Sequence, residues 1–283
     1  MVARTDSALI LRRFAYGESS LVLQVLAREH GRVHLIAKGA YRPTSRYFAA
    51  LDLFDTLELT WSEQRGRELQ PLSAARIVER RAGLSREGLR YRAALTVLEL
   101  AGAAAREGRP ERGLFDLSRA ALDALACDLP ADAVVVAFEL GFLGDLGLAP
   151  ALLACASCGR AARRRAGALG ARGPAAGGPR SDFSAGAGGR LCAACAREAR
   201  AAGRRVGTLP LDVLELAARL GEGAPGDVAH LRAALEGSDA AGLERTRDFV
   251  ARFLEYHLEA RPRSYRRLLA AGHRNAAAPT PRP

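Results

Sequence analysis

The sequence has almost no lysine and no long apolar run. Lys38 is the one lysine among 42 basic residues in a chain of 283. No stretch approaches the roughly 18 uninterrupted apolar residues that a membrane span needs, and residues 1–13 contain no apolar segment long enough for a signal peptide. These absences exclude the membrane-spanning and secreted classes and predict a cytoplasmic protein.

Motifs of the common enzyme classes are also missing. The chain contains no GxxxxGK[ST] phosphate-binding loop and no HExxH metalloprotease motif. None of its five histidines lies in a recognisable catalytic arrangement. These absences favour a protein that works by binding over one that catalyses a covalent reaction.

Positive charge is present in excess, and it is concentrated in blocks. The net charge is +11; residues 160–205 hold 11 arginines against two acidic residues, and residues 261–283 hold six arginines against none. The segments 81–159 and 206–260 are net acidic. Basic blocks of this kind favour a polyanionic partner such as nucleic acid. The alternative is that arginine reflects codon bias and that the chain is merely basic.

Residues 1–80 show the alternation of half-buried strands. In the segment 53–61, three leucines and Trp61 fall on one face, while threonine and glutamate residues fall on the other. Strands are predicted at 8–13, 20–27, 32–38, 53–61 and 69–78. Five short strands in this length favour a small Greek-key barrel such as the OB-fold.

After residue 82 the apolar period becomes helical. Helices are predicted at 85–107, 111–127, 132–146, 211–220, 229–235, 240–260 and 264–270. The segment 161–189 is rich in Arg, Ala, Gly and Pro and has too little apolar bulk to order itself, so we expect it to be mobile.

The predicted fold is therefore α+β and multidomain. A five-stranded OB-fold barrel that binds DNA (1–80) is followed by a helical domain (81–154). A zinc-finger-like insertion with four cysteines and a disordered Arg/Gly/Ala-rich loop (155–205) interrupts that domain, which continues at 206–274. A disordered tail (275–283) completes the chain.

Four of the five cysteines form two CxxC pairs, Cys155 with Cys158 and Cys192 with Cys195. Two such turns supply the four thiolates that structural zinc prefers, and paired CxxC in a cytosolic protein indicates metal more often than disulfides. The 33 intervening residues exceed the usual zinc-ribbon spacing, which we attribute to an inserted low-complexity stretch at 163–179. The alternative is a degenerate or redox-active set of thiols.

A basic loop, residues 38–48, follows the third predicted strand. Lys38, Arg42 and Arg46 supply three cations, and the aromatic residues are Tyr41, Tyr47 and Phe48. Guanidinium groups contact phosphates and aromatic faces stack on bases, so this composition suits a nucleic-acid interface in which Tyr41 and Tyr47 contact DNA beside the three cations. The alternative is a solvated loop whose aromatic side chains close the end of the barrel.

Several segments together resemble the bacterial recombination mediator family RecO. The matching segments, in chain order, are YGESSLVLQVLAREHGRVHLIAKGAYRPTSR, FELGFLGDLGLAPALLACASCG, DFSAGAGGRLCAAC and FLEYHLEARPRSYRRLL. The resemblance covers nearly the whole chain, and the segment ending in the first CxxC pair is the most specific.

The resemblance implies a DNA repair protein that binds single- and double-stranded DNA and anneals complementary strands. It implies partnership with RecR, contact with the acidic C-terminal tail of single-strand-binding protein, and help in loading RecA. It also implies DNA contacts at Lys38, Arg42 and Arg46, zinc ligation by the four paired cysteines, and a place in the cytoplasm near the nucleoid. Tyr41 departs from the family, which often has a basic residue there.

Two other classes remain as alternatives from the sequence. A zinc-ribbon transcription or RNA-binding factor would read base sequence and so show strong sequence preference. An enzyme that uses metal-activated water would need an open coordination position, with fewer than four protein ligands.

Overall fold

The N-terminal segment folds into a closed five-stranded barrel. The computed structural model describes residues 2–45, 47, 50–161, 178–258 and 262–265. The barrel strands are β1 (Val2–Tyr16), β2 (Ser20–Ala27), β3 (Gly31–Ala37), β4 (Thr56–Glu63) and β5 (Leu69–Glu79). They close in the order β1-β2-β3-β5-β4, with β3 and β5 parallel. The barrel predicted from the sequence is confirmed.

The alternating apolar residues of the fourth predicted strand lie in the barrel core. Leu57, Leu59 and Trp61 are buried, as their shared face predicts. The strand begins at Thr56 rather than at residue 53, because Phe54 adopts a left-handed φ of 75° that a β-strand does not accommodate. β1 is longer than predicted, and its extension beyond residue 13 bears on function below.

Contacts within the described residues divide the chain into two compact units. The first contains the barrel, α1 (Gly88–Ala104), α2 (Arg112–Leu125) and residues 262–265; the second begins at Asp132. Arg81 joins the barrel to α2: its buried guanidinium donates to Asp123, to the Phe54 carbonyl and to Thr56 Oγ1. The predicted helical domain from residue 81 thus shares its first two helices with the barrel unit.

Gly31 lies where the barrel meets the segment between α1 and α2. Its φ is +67°, and an added Cβ would lie 2.3 Å from the carbonyl oxygens of both Arg106 and Arg109. We expect Gly31→Ala to lower the free energy of unfolding by about 2–4 kcal/mol, from left-handed strain plus the clash. Gly17→Ala, at φ +59° with open space around it, isolates the strain and should cost about 1 kcal/mol. Denaturant unfolding measures both; equal losses would contradict the clash.

The second unit contains five helices and a small sheet within its described residues. The helices are α3 (Ala131–Asp145), α4 (Ala193–Ala201), α5 (Leu211–Gly221), α6 (Val228–Leu235) and α7 (Ala240–Leu258). The strands β6 (Arg180–Ser184), β7 (Gly189–Leu191) and β8 (Gly207–Pro210) form an antiparallel sheet in the order β7-β6-β8. Helix α4 was not predicted, and most of the predicted helix 264–270 lies outside the described residues.

The expectation that residues 161–189 lack order is wrong for the end of that segment. β6 begins at Arg180 and carries Phe183, which packs edge-on against Phe249 and Phe253 of α7 at centroid distances of 5.1 and 5.9 Å. One buried aromatic side chain therefore supplies the apolar contact that composition averaged over the segment concealed. Residues 162–177 lie outside the described part of the chain.

Hydropathy along the helices agrees with the absence of long apolar runs. None of the helices in the described ranges combines the length and apolarity that a bilayer crossing needs.

Candidate metal centre and nucleic-acid interface

The two CxxC pairs converge on one point. The Sγ atoms of Cys155, Cys158, Cys192 and Cys195 all lie within 4.8 Å of one another. Cys158 Sγ and Cys192 Sγ are 3.9 Å apart. The predicted grouping of these four residues is present in the structure, although they come from turns 33 residues apart in the sequence.

Local backbone structure positions each pair. A tight turn carries the first pair, with Cys155 N–H donating to the Arg160 carbonyl and Gly159 N–H donating to the Cys155 carbonyl. Cys192 is the N-cap of α4, so Cys195 lies in the first turn of that helix. Ala156 N–H donates to the Arg190 carbonyl and ties the two turns together. We call residues 151–161 and 178–206 the four-cysteine module.

Hydrogen bonds favour the thiolate form at two of these cysteines. Burial by itself raises the pKa of Cys155, but N–H donors from Cys192, Cys158 and Ser157 outweigh it and lower that pKa to about 6. The backbone N–H of Cys195 lowers the pKa of Cys192. The hydrogen bond between the Cys195 and Cys192 side chains raises the pKa of Cys195 to about 12. Thiolate is the form that binds metal, so the turns prepare the first two ligands.

The donor set fits a tetrahedral metal ion. Zinc–sulfur bonds of about 2.3 Å in a tetrahedron place sulfur atoms about 3.8 Å apart, close to the 3.9 Å between Cys158 and Cys192. Four sulfur donors fill all four positions of such an ion. The cluster could therefore hold a metal ion with no position open for substrate or water.

The basic loop leaves two of its predicted cations in solvent. Lys38 and Arg42 are exposed, and neither forms an ion pair with any residue that the structure describes. Tyr41 is 58% exposed, and its N–H donates to the Ser19 carbonyl in the β1–β2 turn. Arg46 lies outside the described residues. Lys38, Tyr41 and Arg42 are thus available to a ligand.

Tyr47 requires a correction. Its side chain is 4% exposed, packs in the barrel core and donates its hydroxyl to the Leu72 carbonyl at 2.7 Å. A ring enclosed on both faces cannot stack on a base, so Tyr47 does not serve as the predicted DNA contact. Tyr47 therefore closes the barrel end, as the second interpretation of the loop expects, while Tyr41 faces solvent.

Three outward-facing side chains on β1 were missed by the sequence analysis. Arg12, Phe14 and Tyr16 are exposed, with Phe14 at 53% and Tyr16 at 57%. Opposite them, β2 and β3 contribute further outward residues, and together these strands form what we call the outer face: Arg12, Phe14, Tyr16, Ser20, Val22, Gln24, His34, Ile36 and Lys38. The alternating pattern of Arg12, Phe14 and Tyr16 could have indicated them, but the predicted strand ends at residue 13.

The second unit contains an apolar groove with a charged rim. It has a volume of about 520 Å³, and α7 forms one wall while β6, β8 and the start of α5 form the other. Four aromatic side chains line it: Phe183, Phe249, Phe253 and Tyr256. Arg180, Arg245, Arg252 and Asp248 stand at its edges. The sequence could not locate this groove, because Phe183 on one wall and Phe249 on the other lie 66 residues apart in the chain.

Comparisons with known proteins agree with this architecture. The chain matches two family models, Recombination protein O N terminal at residues 1–81 and Recombination protein O C terminal at residues 85–266. DNA repair protein RecO of Anaeromyxobacter sp. (strain K) is 36% identical over 257 residues, which is 90% of this chain and 91% of that protein. DNA repair protein RecO of Exiguobacterium sibiricum is 34% identical over 151 residues, 53% of this chain and 60% of that protein. These matches support a role in DNA repair and recombination, and the chain belongs to the recombination protein O (RecO) family.

Proposed function

We propose that the protein is a recombination mediator that binds single- and double-stranded DNA, anneals complementary strands and catalyses no covalent step. The observation that carries this proposal is the pair of exposed cations Lys38 and Arg42, without ion-pair partners among the described residues, on a closed barrel. Cations that neutralise the phosphates of two strands lower their mutual repulsion and raise their local concentration. Base pairing then supplies the driving force for annealing.

The proposal assigns Zn²⁺ a structural part. Cys155, Cys158, Cys192 and Cys195 would hold the ion, which would cross-link two turns that have little core of their own. The module's own apolar cluster is small, with Cys155, Leu191, Ala196 and Ala199 buried together, while its buried Phe183 packs against α7 instead. A core this small needs a metal or a disulfide to fold, and the sulfur geometry suits the metal.

The proposal also includes protein partners. In the pathway that we propose, the protein acts with RecR and helps to load RecA onto DNA covered by single-strand-binding protein. The groove of the second unit suits the acidic C-terminal tail of single-strand-binding protein, because arginines at its rim can pair with carboxylates while its aromatic walls take an apolar end.

Reversing the two loop charges tests the DNA interface. We expect Lys38→Glu combined with Arg42→Glu to weaken binding to single and double strands of any sequence. The slope of log affinity against log salt should become shallower by about 1.4 for single strands if each residue contacts one phosphate. Fluorescence anisotropy titrations at several salt concentrations measure both quantities.

A matched variant controls for net charge alone. Arg86→Glu with Arg106→Glu makes the same charge change at two exposed positions in the same unit and should leave the salt slope unchanged. An unchanged slope in the Lys38/Arg42 variant would remove the basic loop from the interface. Strong sequence preference in the wild-type protein would favour a transcription or RNA-binding factor instead.

A further inference from the structure

A β-bulge turns three side chains of β1 away from the barrel interior. β1 pairs with β4 only over Val2–Leu9, and its pairing with β2 continues to Tyr16 with a register shift between Ile10 and Arg12. Before the shift, Ala8 and Ile10 face the core. An extra residue in one strand reverses the facing of every residue after it.

After the bulge, odd-numbered residues of β1 lie on the same sheet face as the core leucines of β2, although Arg13 and Ala15 are themselves exposed. Arg13 pairs with Leu23 and Ala15 pairs with Leu21, and both leucines lie in the barrel core. Arg12, Phe14 and Tyr16 therefore point to the outside. Without the extra residue, the two aromatic rings would lie on the opposite face of β1.

The outer face joins an aromatic strip to cations. Phe14 pairs with Val22, which pairs with Ile36, so an apolar row crosses the three strands under the Phe14 ring. Tyr16 lies next along β1. Phe14 and Tyr16 are each more than half exposed. A single large apolar side chain in solvent is ordinary, whereas two neighbouring exposed rings on one strand are not.

Basic side chains stand at both ends of this strip. Arg12 precedes Phe14 on the same face, and Lys38 follows β3 at the end near Tyr16. The hydrogen bond from Tyr41 N–H to the Ser19 carbonyl holds the basic loop beside the β1–β2 turn, so Arg42 belongs to the same region. None of the nine residues of the outer face is acidic. Glu107, whose carboxylate lies 3.8 Å from His34 Nδ1, marks where the basic character ends.

We propose that the outer face is a stacking platform for unpaired bases, with Phe14 and Tyr16 contacting two successive bases and Arg12, Lys38 and Arg42 contacting phosphates. Alternate residues of a strand are about 6.6 Å apart, roughly twice the 3.4 Å rise per nucleotide of a helical strand. The spacing thus suits a single strand pulled out of its stack. The base faces of a duplex are buried in its own stack, so a duplex can contact only the cations of this face.

This inference rests on the proposed DNA-binding function and gives it a selectivity that charge alone does not. Cations attract single and double strands alike, whereas aromatic faces retain only strands with free bases. A mediator with such a face holds each strand open before annealing and loses the stacking contact once the duplex forms. Product release then follows from base pairing itself.

The test is the double variant Phe14→Ala with Tyr16→Ala in the full-length protein. Anisotropy titrations with an oligothymidine and with a duplex of equal length report the two affinities. We expect single-strand affinity to fall about 25-fold, from a loss of about fivefold for each base contact. Duplex affinity should change less than about twofold, and the salt slope should stay the same, because no phosphate contact is removed.

Two further variants sharpen the comparison. Val78→Ala removes a similarly exposed apolar side chain, 51% exposed, from β5 of the same barrel, and should leave both affinities unchanged. Phe14→Trp with Tyr16→Trp keeps two stacking faces and should retain single-strand binding. Thermal melting confirms that the alanine variant stays folded.

The outcomes separate this inference from the function on which it rests. Unchanged single-strand affinity in the alanine variant overturns the stacking platform and leaves the face to a protein partner. An equal loss of affinity for single strands and for duplexes overturns it as well. A duplex offers no free base faces, so removal of two stacking rings should not weaken its binding to that extent. Failure of the proposed DNA-binding function gives a different result: the Lys38→Glu/Arg42→Glu variant then has the same salt slope as the wild type.

Discussion

Cys155→Ser is expected to release the metal from the purified protein and to unfold the four-cysteine module. Elemental analysis should give about one zinc ion per chain in the wild type, as expected of one tetrahedral site, and close to none in the variant. Binding of structural zinc contributes about 10–16 kcal/mol in small zinc domains. The four-residue core of the module cannot replace a contribution of that size.

The structural consequence should stay within the module. Hydrogen exchange at the α4 amides, Ala193–Ala201, should lose its protection, while the barrel strands keep theirs. Because the basic loop and the outer face belong to the other unit, single-strand affinity should fall by less than about threefold, within the range of surface effects. This outcome would show that the four-cysteine module has a structural role and is not part of the DNA-binding surface.

Cys127→Ser is the matched control for this experiment. Cys127 lies outside the cluster and donates its thiol to the Asp123 carbonyl within its own helical turn, a bond that a serine hydroxyl can also form. This variant should keep its zinc and its α4 protection. A full equivalent of zinc in Cys155→Ser would contradict the four-sulfur site.

Sequence periodicity was sufficient for the barrel and for the grouping of the cysteines. Alternation in the segment 53–61 and paired CxxC spacing are local signals, and each reports directly on the structure that forms there. Leu57 and Leu59 are buried because the strand period requires it. The four Sγ atoms of the two predicted pairs lie within 4.8 Å of one another.

The features that were missed depend on tertiary contacts. Nothing local distinguishes Tyr41, in solvent, from Tyr47, whose hydroxyl reaches a carbonyl 25 residues away. The bulge near Leu11 is visible only through its pairing with β2. Order at Phe183 depends on rings of α7 some seventy residues later. Single-sequence patterns carry no information about such partners.

The buried ion pair between Arg247 and Glu139 is another contact that the sequence did not indicate. Arg247 Nη1 donates to Glu139 Oε2 at 2.9 Å, and the two side chains are 3% and 0% exposed. They lie on α7 and α3, 108 residues apart. Asp132 Oδ1 is 3.9 Å from Arg247 Nε and keeps 41% of its side chain exposed. The pair joins two helices of the second unit through charge buried away from water.

We expect Arg247→Met to lower the free energy of unfolding of the second unit by about 3–5 kcal/mol. The loss arises chiefly because the Glu139 carboxylate stays buried without its cation, rather than because the wild-type pair is strongly favourable. The double variant Arg247→Met with Glu139→Leu removes both charges and should recover most of the stability. Denaturant unfolding of the wild type, Arg247→Met, Glu139→Leu and the double variant forms a complete double-mutant cycle.

The pH dependence of the single variant gives a second readout. Burial raises the pKa of Asp132, and the Arg247 guanidinium opposes that rise. A carboxyl whose pKa is raised on folding contributes stability below its unfolded pKa, and this stability is lost as pH rises through the folded pKa. Removing Arg247 raises the pKa of Asp132 further, so the deficit of Arg247→Met should be smaller at about pH 4 than at about pH 7. Because Asp132 is partly exposed, its share is modest. A deficit of the same size at the two pH values would show that the loss comes from packing rather than from the buried carboxylates.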